Sequence, residues 1–266
     1  MSGLREATYL LGGVGSGLGS ALTSLLASRG ATVCACARSS STLLRLASEA
    51  QNRGWRVETF SGDLSRQEDV DRWMGEVRLH HPRLEGGAIL AGRWVAGGPL
   101  LHEARDEDWE HGLAENLEPV FRMGRALLRT FVDQRQGSLV LVSATERIGR
   151  SGHPAYCVAK AGVAELARKL AHDYRRYNVR VNAVLAGTME HDLPSLDPPD
   201  LSSPVDLRDA SGVGSWEVAR MVAYLLAPEG RWVSGAVIPV DGGNSTGGKP
   251  PEVLTGTGPT PSFRSP

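Results

Sequence analysis

The chain predicts an α/β protein in which a mostly parallel, seven-stranded sheet is doubly wound, with helices on both faces. Three observations predict it. Short apolar runs near residues 7–11, 32–37, 56–61, 87–91, 138–142, 180–185 and 236–240 alternate with longer amphipathic stretches, the rhythm of strand–helix–strand units. The intervals between runs leave room for the crossovers that parallel strands require. The first run passes directly into a glycine-rich turn and then an apolar helical stretch, a layout that points helix amides at a bound phosphate. The 266 residues suffice for one large domain, placed at 1–243.

Composition narrows the classes. Hydrophobic residues make up 41% and charged residues 22%, as in soluble globular proteins. A net charge of −1 gives no electrostatic reason to expect a nucleic-acid or anionic-membrane partner. No apolar run approaches the about 20 residues of a membrane helix, and Met1 to Glu6 carries no secretory pattern. Cys34, Cys36 and Cys157 read as reduced thiols. A cytoplasmic protein without a resident metal is the expectation.

The elements follow in order. Ala7 to Leu11 reads as a buried strand, followed by Gly12-Gly13-Val14-Gly15-Ser16-Gly17-Leu18-Gly19 and a helix through Leu22, Leu25 and Leu26. Gly13, Gly17 and Gly19 fit G-x-x-x-G-x-G, and no register fits G-x-G-x-x-G. Strand, glycine turn and helix together predict a Rossmann-like dinucleotide site. Strand two, Thr32 to Ala37, ends in Arg38-Ser39-Ser40-Ser41, with no Asp or Glu between Gly30 and Glu49. An acidic residue at this tip suits the ribose diol of NAD, whereas an arginine suits the extra phosphate of NADP. NADP(H) is therefore expected over NAD(H). Strand three, Arg56 to Ser61, leads to Asp63-Leu64. Asp63 suits either the adenine amino group or the cap of the helix starting near Ser65.

Strand four ends in Ile89-Leu90-Ala91-Gly92, and a helix is expected over Asp106 to Phe131, with Asn116 inside it. Asn is a poor helix former, so it either faces solvent or has a function. Leu139 to Val142 reads as strand five and ends at Ser143, a strand-end hydroxyl suited to a backbone bond or to chemistry. Pro154 opens a helix to about Tyr177 that carries Tyr156 and Lys160. At i and i+4 these lie on one helix face, where a fixed ammonium lowers the tyrosine pKa and permits proton exchange near neutrality. Four prolines between Met189 and Ser215 prevent a regular helix, and a loop after strand six suits a substrate lid. Residues 244–266 shift to Gly, Pro, Ser and Thr and are expected to be a disordered tail.

These pieces together resemble the short-chain dehydrogenase/reductase family in its compact single-domain form. The resemblance runs from about Ala7 to Gly243. It rests on the glycine turn, Asp63-Leu64, Asn116, Ser143, Y-x-x-x-K at Tyr156 to Lys160, R-V-N-A-V at Arg180 to Val184, and Val240-Asp241-Gly242-Gly243. Ser143 precedes Tyr156 by 13 residues, the family's separation. The resemblance implies a catalytic tetrad of Asn116, Ser143, Tyr156 and Lys160. Tyr156 would act as general acid, Lys160 would lower its pKa and bind the nicotinamide ribose, and Ser143 would bond the substrate carbonyl. Asn116 would hold a helix kink and a relay water. It implies cofactor contacts at Gly13, Ser16, Gly17, Leu18, Gly19, Arg38, Ser39, Asp63, Leu64, Ala91, Gly92, Gly187 and Thr188. It also implies a small carbonyl or alcohol substrate and a homo-oligomer, tetramer or dimer. Ile89-Leu90 replaces the usual Asn-Asn and Ala186-Gly187 the usual Pro-Gly. The first departure makes a catalytically silent NADP(H)-binding sensor or scaffold the alternative expectation.

Overall fold

All seven expected strands form, and every strand pair is parallel. A computed structural model describes residues 4–94, 98–189, 195–200, 202, 207 and 213–246. The chain runs β1 (Thr8–Gly12), α1 (Leu18–Ala27), β2 (Thr32–Ala37), α2 (Ser40–Arg53), β3 (Arg56–Ser61), α3 (Gln67–His80) and β4 (Gly86–Ile89). It continues through α4 (Asp106–Asn116), α5 (Glu118–Gln134), β5 (Gly137–Ala144), α6 (Glu146–Ser151), α7 (Pro154–Tyr174), β6 (Val179–Ala186), α8 (Ser215–Leu226) and β7 (Val237–Val240). The strands lie in the order β3-β2-β1-β4-β5-β6-β7. The order reverses between β1 and β4, so a crevice opens there at the strands' carboxyl ends.

The period of two along each strand divides the core into two layers. Tyr9, Leu11, Val33, Ala35, Val140 and Val142 pack on the face covered by α1 and α8. Leu10, Cys34, Cys36, Leu139 and Leu141 pack on the face covered by α3, α5 and α7. A strand buried on both faces shows no polar alternation, which is why β1 and β2 read as unbroken apolar runs. Cys34 and Cys36 are free and buried, and burial pushes both thiols up to about 12.

Caps set the helix boundaries. The Ser39 hydroxyl accepts from the Thr42 amide at 3.3 Å and caps α2, and Gly54, in the left-handed conformation, ends it. His153 Nδ1 accepts from the Ala155 amide at 3.2 Å, with Pro154 in the first turn of α7. That helix ends at Tyr174, and Arg175–Tyr177 tighten into a 3-10 turn, so the expected single helix to Tyr177 is shorter by that turn. The helix expected over Asp106 to Phe131 is two helices, broken at Leu117 and followed at once by Pro119 in the first turn of α5. Proline lacks the amide that would continue the first helix.

The R-V-N segment staples the far edge of the sheet. The Arg180 guanidinium donates to the carbonyls of Leu225 (2.7 Å), Gly230 (2.9 Å) and Val233 (3.1 Å). Asn182, fully buried, donates to the Val233 carbonyl and accepts from the Ala236 amide. Asp241 is likewise buried and accepts from the Gly243 and Ser245 amides.

The described parts of the loop after β6 are tied down. Met189 bridges Val213, and the Val213 amide donates to the Thr188 carbonyl at 2.7 Å. Leu196 is buried in the core, and its carbonyl accepts from the Ser24 hydroxyl at 2.6 Å. Residues 190–194, 201, 203–206 and 208–212 of this expected substrate loop lie outside the described residues. Asn244–Thr246 form a 3-10 turn; the expected tail beyond them also lies outside. Among the described residues no helix is long and apolar enough to cross a membrane.

Candidate active site

Two adjoining cavities occupy the crevice between β1 and β4. The larger, about 470 Å³, is lined by the glycine turn (Gly13, Ser16, Gly17, Leu18, Gly19), by Gly92, by Ser143, Tyr156 and Lys160, and by Gly187 and Thr188. The smaller, about 230 Å³, is lined by Gly13, Arg38, Ser39, Asp63, Leu64, Ala91 and Gly92. The two share Gly13, Gly15 and Gly92. Every residue expected at the site except Asn116 lines one of them.

Two glycines keep the crevice open. Gly13 has φ +81°, and a β-carbon there would lie 2.5 Å from Ala91 Cα. At Gly92 a β-carbon would collide with Lys160 Nζ and lie 2.9 Å from Asn116 Oδ1. The backbone can therefore make these two close approaches, at Gly13 against Ala91 and at Gly92 against Lys160, only where a side chain is absent. Asn116 holds the loop after β4. Its Oδ1 accepts from the Arg93 amide at 2.9 Å, and its Nδ2 donates to the carbonyls of Gly112 (3.0 Å) and Arg93 (3.2 Å). It sits at the end of α4, 2% exposed, which excludes the solvent-facing alternative.

Ser143 and Lys160 join β5 to α7. The Ser143 hydroxyl donates to the main-chain carbonyl of Lys160 at 2.6 Å. The Lys160 amine donates to the Ala91 carbonyl at 3.4 Å and lies 5.7 Å from the centre of the Tyr156 ring. All three side chains are buried. Burial decides their charge states. It pushes Tyr156 up to about 12 and lowers Lys160 to about 8. The expected lowering of the tyrosine pKa by its lysine is thus corrected. The amine is desolvated too, and its charge does not offset the burial of the phenol.

At the smaller cavity, Asp63 makes a turn of its own. Its Oδ1 accepts from the Ser65 amide (2.9 Å) and hydroxyl (2.7 Å). Burial alone would raise its pKa, but these bonds and the nearby Arg38 outweigh burial and lower it. The cap position of α3 belongs to Arg66, so Asp63 does not cap that helix. Arg38 is paired: its guanidinium meets Glu115 at 3.3 Å, and Glu115 also meets His111 (3.3 Å) and Arg93 (3.8 Å).

Glu115 is a residue of the smaller cavity's lining that the sequence did not single out. It is separated from Arg38 by 77 positions, and only its position next to Asn116 could have drawn notice. Trp94, Ile148, Leu90 and Met189 complete the larger cavity. Ile89 is buried in the core and Leu90 faces the cavity, so the strand tip that usually carries asparagines is apolar on both faces.

The residues fit a dinucleotide. Gly17 provides no side-chain cap for α1, and the first turn of that helix carries no acidic residue, leaving its positive end available to an anion. The two bare glycines permit close approach, and Arg38 supplies a cation at the rim.

Such a crevice defines a class, the dinucleotide-binding α/β proteins. Residues 13–245 match a family model described as enoyl-(acyl carrier protein) reductase. The chain is 30% identical to a 3-oxoacyl-[acyl-carrier-protein] reductase FabG of Thermotoga maritima over 243 residues, covering 90% of this chain and 98% of the relative. It is 30% identical to a (3R)-3-hydroxyacyl-CoA dehydrogenase of Mus musculus, covering 90% and 96%. Its fold matches a short-chain type dehydrogenase/reductase from Mycobacterium ulcerans with a TM-score of 0.78 at 26% identity, covering 91% and 90%. It also matches a structure from Burkholderia xenovorans with a TM-score of 0.79, covering 91% and 98%. The chain belongs to the short-chain dehydrogenase/reductase family of oxidoreductases.

Proposed function

We infer that the chain is an NADP(H)-dependent ketoreductase that interconverts a carbonyl and a secondary alcohol, with Tyr156 as the acid/base. One observation carries this reading: Ser143, Tyr156 and Lys160 line the same cavity as the glycine turn. When bound, the nicotinamide would supply the hydride. The chain's own residues would manage charge and protons. With its pKa pushed up to about 12, Tyr156 is protonated at neutral pH and ready to donate to a carbonyl oxygen. Lys160 beside it, within reach of the loop after β4, stabilises the phenolate left behind. The Ser143 hydroxyl would turn from the Lys160 carbonyl to the substrate oxygen and stabilise developing negative charge. Leu90, Trp94, Ile148 and Met189 line part of the cavity with apolar side chains.

Arg38, Ser39 and the absence of an acidic residue at the tip of β2 support NADP(H). The Arg38–Glu115 pair is exposed on the arginine side and therefore weak, so a phosphate can displace the carboxylate. The relatives' names make 3-oxoacyl and 3-hydroxyacyl thioesters the first substrates to try. Exposed Phe121 on α5 and Val158 on α7 support a homo-oligomer within this reading.

The test is consumption of NADPH, followed by its absorbance, against a panel of 3-oxoacyl thioesters, ketones and quinones. Turnover that vanishes in Tyr156→Phe while NADPH still binds is the expected result. Tight NADPH binding with no turnover on any carbonyl would sink the reading.

A further inference from the structure

Outside both cavities, three potential metal donors converge at the open edge of the sheet. Cys34 on β2 pairs in register with Glu58 on β3, so their side chains leave the same face. His81 ends α3 and lies over them. Cys34 Sγ is 3.8 Å from Glu58 Oε2, and His81 Nε2 is 2.9 Å from Glu58 Oε1. One donor atom from each residue lies within 4.8 Å of the others. Neither cavity includes any of the three.

We propose that Cys34, Glu58 and His81 form a zinc site that locks β3 and the end of α3 onto β2. The donor set decides the class of ion. Thiolate, imidazole and carboxylate together suit zinc, whereas magnesium and calcium take oxygen ligands alone. The spacing also fits. Zinc–ligand bonds of about 2.0–2.3 Å put tetrahedral ligands roughly 3.3–3.8 Å apart, so these donors need move by only about 1 Å. Glu58 is half exposed while Cys34 is buried, which leaves the outer corner of the tetrahedron to a water. On binding, the Cys34 thiol proton passes to solvent, a zinc–sulfur bond forms, and the neutral His81 ring binds through Nε2. No electron is transferred.

The location gives the site a purpose. β3 is the edge strand, and its residues are half-buried or exposed throughout. An edge strand is the part of a sheet most open to fraying and to unwanted pairing. An ion held by residues of β2, β3 and the end of α3 ties that strand at its middle.

The experiment uses the full chain, first stripped by chelator. Cobalt(II) is the spectroscopic probe and zinc the competitor. One equivalent of cobalt should produce a sulfur-to-cobalt charge-transfer band that zinc abolishes, and zinc should raise Tm. Cys34→Ser should lose the band. Cys36→Ser and Cys157→Ser should keep it. His81→Gln, a change at a partly exposed position, should weaken zinc by more than the about 10–100-fold typical of losing an outer-shell partner. This arm remains readable if Cys34→Ser fails to fold. Absence of the band in the wild-type chain, or zinc affinity unchanged in His81→Gln, would overturn the proposal.

Discussion

The Ser143 hydroxyl donates to the main-chain carbonyl of Lys160 at 2.6 Å. The residue suited to bind a substrate oxygen is thereby also a tie between β5 and the helix that carries the acid and its lysine. Ser143→Ala should cost about 1 kcal/mol of stability through this bond. It should also lower kcat by about 10²–10³-fold, the usual cost of removing one donor to a developing oxyanion. Denaturant unfolding and steady-state rates measure the two effects separately, and a wild-type kcat would remove Ser143 from the chemistry.

Arg38 and Glu115 make opposite predictions for the same ligand. Arg38→Asp should weaken NADPH by about 1.5–3 kcal/mol, the worth of a charge-assisted bond, and leave NADH nearly unchanged. Glu115→Gln removes the carboxylate that competes with a phosphate for the guanidinium, so it should tighten NADPH. Fluorescence titrations with both nucleotides give the comparison. Equal losses for NADPH and NADH in Arg38→Asp would contradict the phosphate assignment.

Lys160 makes the cofactor-free protein pH-sensitive. Burial lowers its pKa from 10.5 to about 8. Between these values the unfolded chain keeps a proton that the folded chain has released. The contribution is fully present above pH 10.5 and is lost as pH falls through 8, a swing of about 3 kcal/mol. Tyr156, raised from 10.0 to about 12, works in the opposite sense: its contribution is present below 10 and lost as pH rises through 12. Cys34 and Cys36, raised from 9.0 to about 12, do the same above pH 9. Over roughly pH 8–9, Tm should therefore rise more steeply with pH in the wild type than in Lys160→Met. Parallel curves would show that the amine is not desolvated.

Under the proposed mechanism, the raised tyrosine favours the rate of reduction over that of oxidation at neutral pH. A group protonated at neutral pH serves reduction at once, whereas alcohol oxidation must wait for the phenolate. The ratio of oxidation to reduction rate should climb between about pH 7 and pH 10, as initial rates with either substrate will measure. A ratio independent of pH would point to another acid/base.

Arg180 tests the far edge. Its guanidinium satisfies three carbonyls between α8 and β7. Arg180→Met should destabilise the fold by about 2–4 kcal/mol, because those acceptors lose charge-assisted bonds. Urea unfolding would report this as a lower midpoint with an unchanged slope.

Much of the architecture was legible because local patterns encode it. The unbroken apolar runs of β1 and β2 follow from burial on both faces. The glycine turn followed by an apolar helix announces an anion site before any contact is known. Tyr156 and Lys160 come together by helical spacing alone. The break at Leu117 was harder to see, since Asp106 to Phe131 is helical in composition on both sides. Pro119 ends the run, and the contact of Asn116 with the Arg93 loop, which no local pattern encodes, fixes what the end of the first helix holds.

Sequence by itself determined the parallel sheet, the position of the crevice and the nearness of Tyr156 to Lys160, because backbone period and hydrophobic period are local properties. Tertiary structure alone decided that Arg38 is engaged by Glu115, that burial rather than the neighbouring ammonium governs the Tyr156 pKa, and that Cys34, Glu58 and His81 meet. Charge state depends on how much water a group has lost and on which charges face it. Both are set by chain segments folded against one another from many residues away.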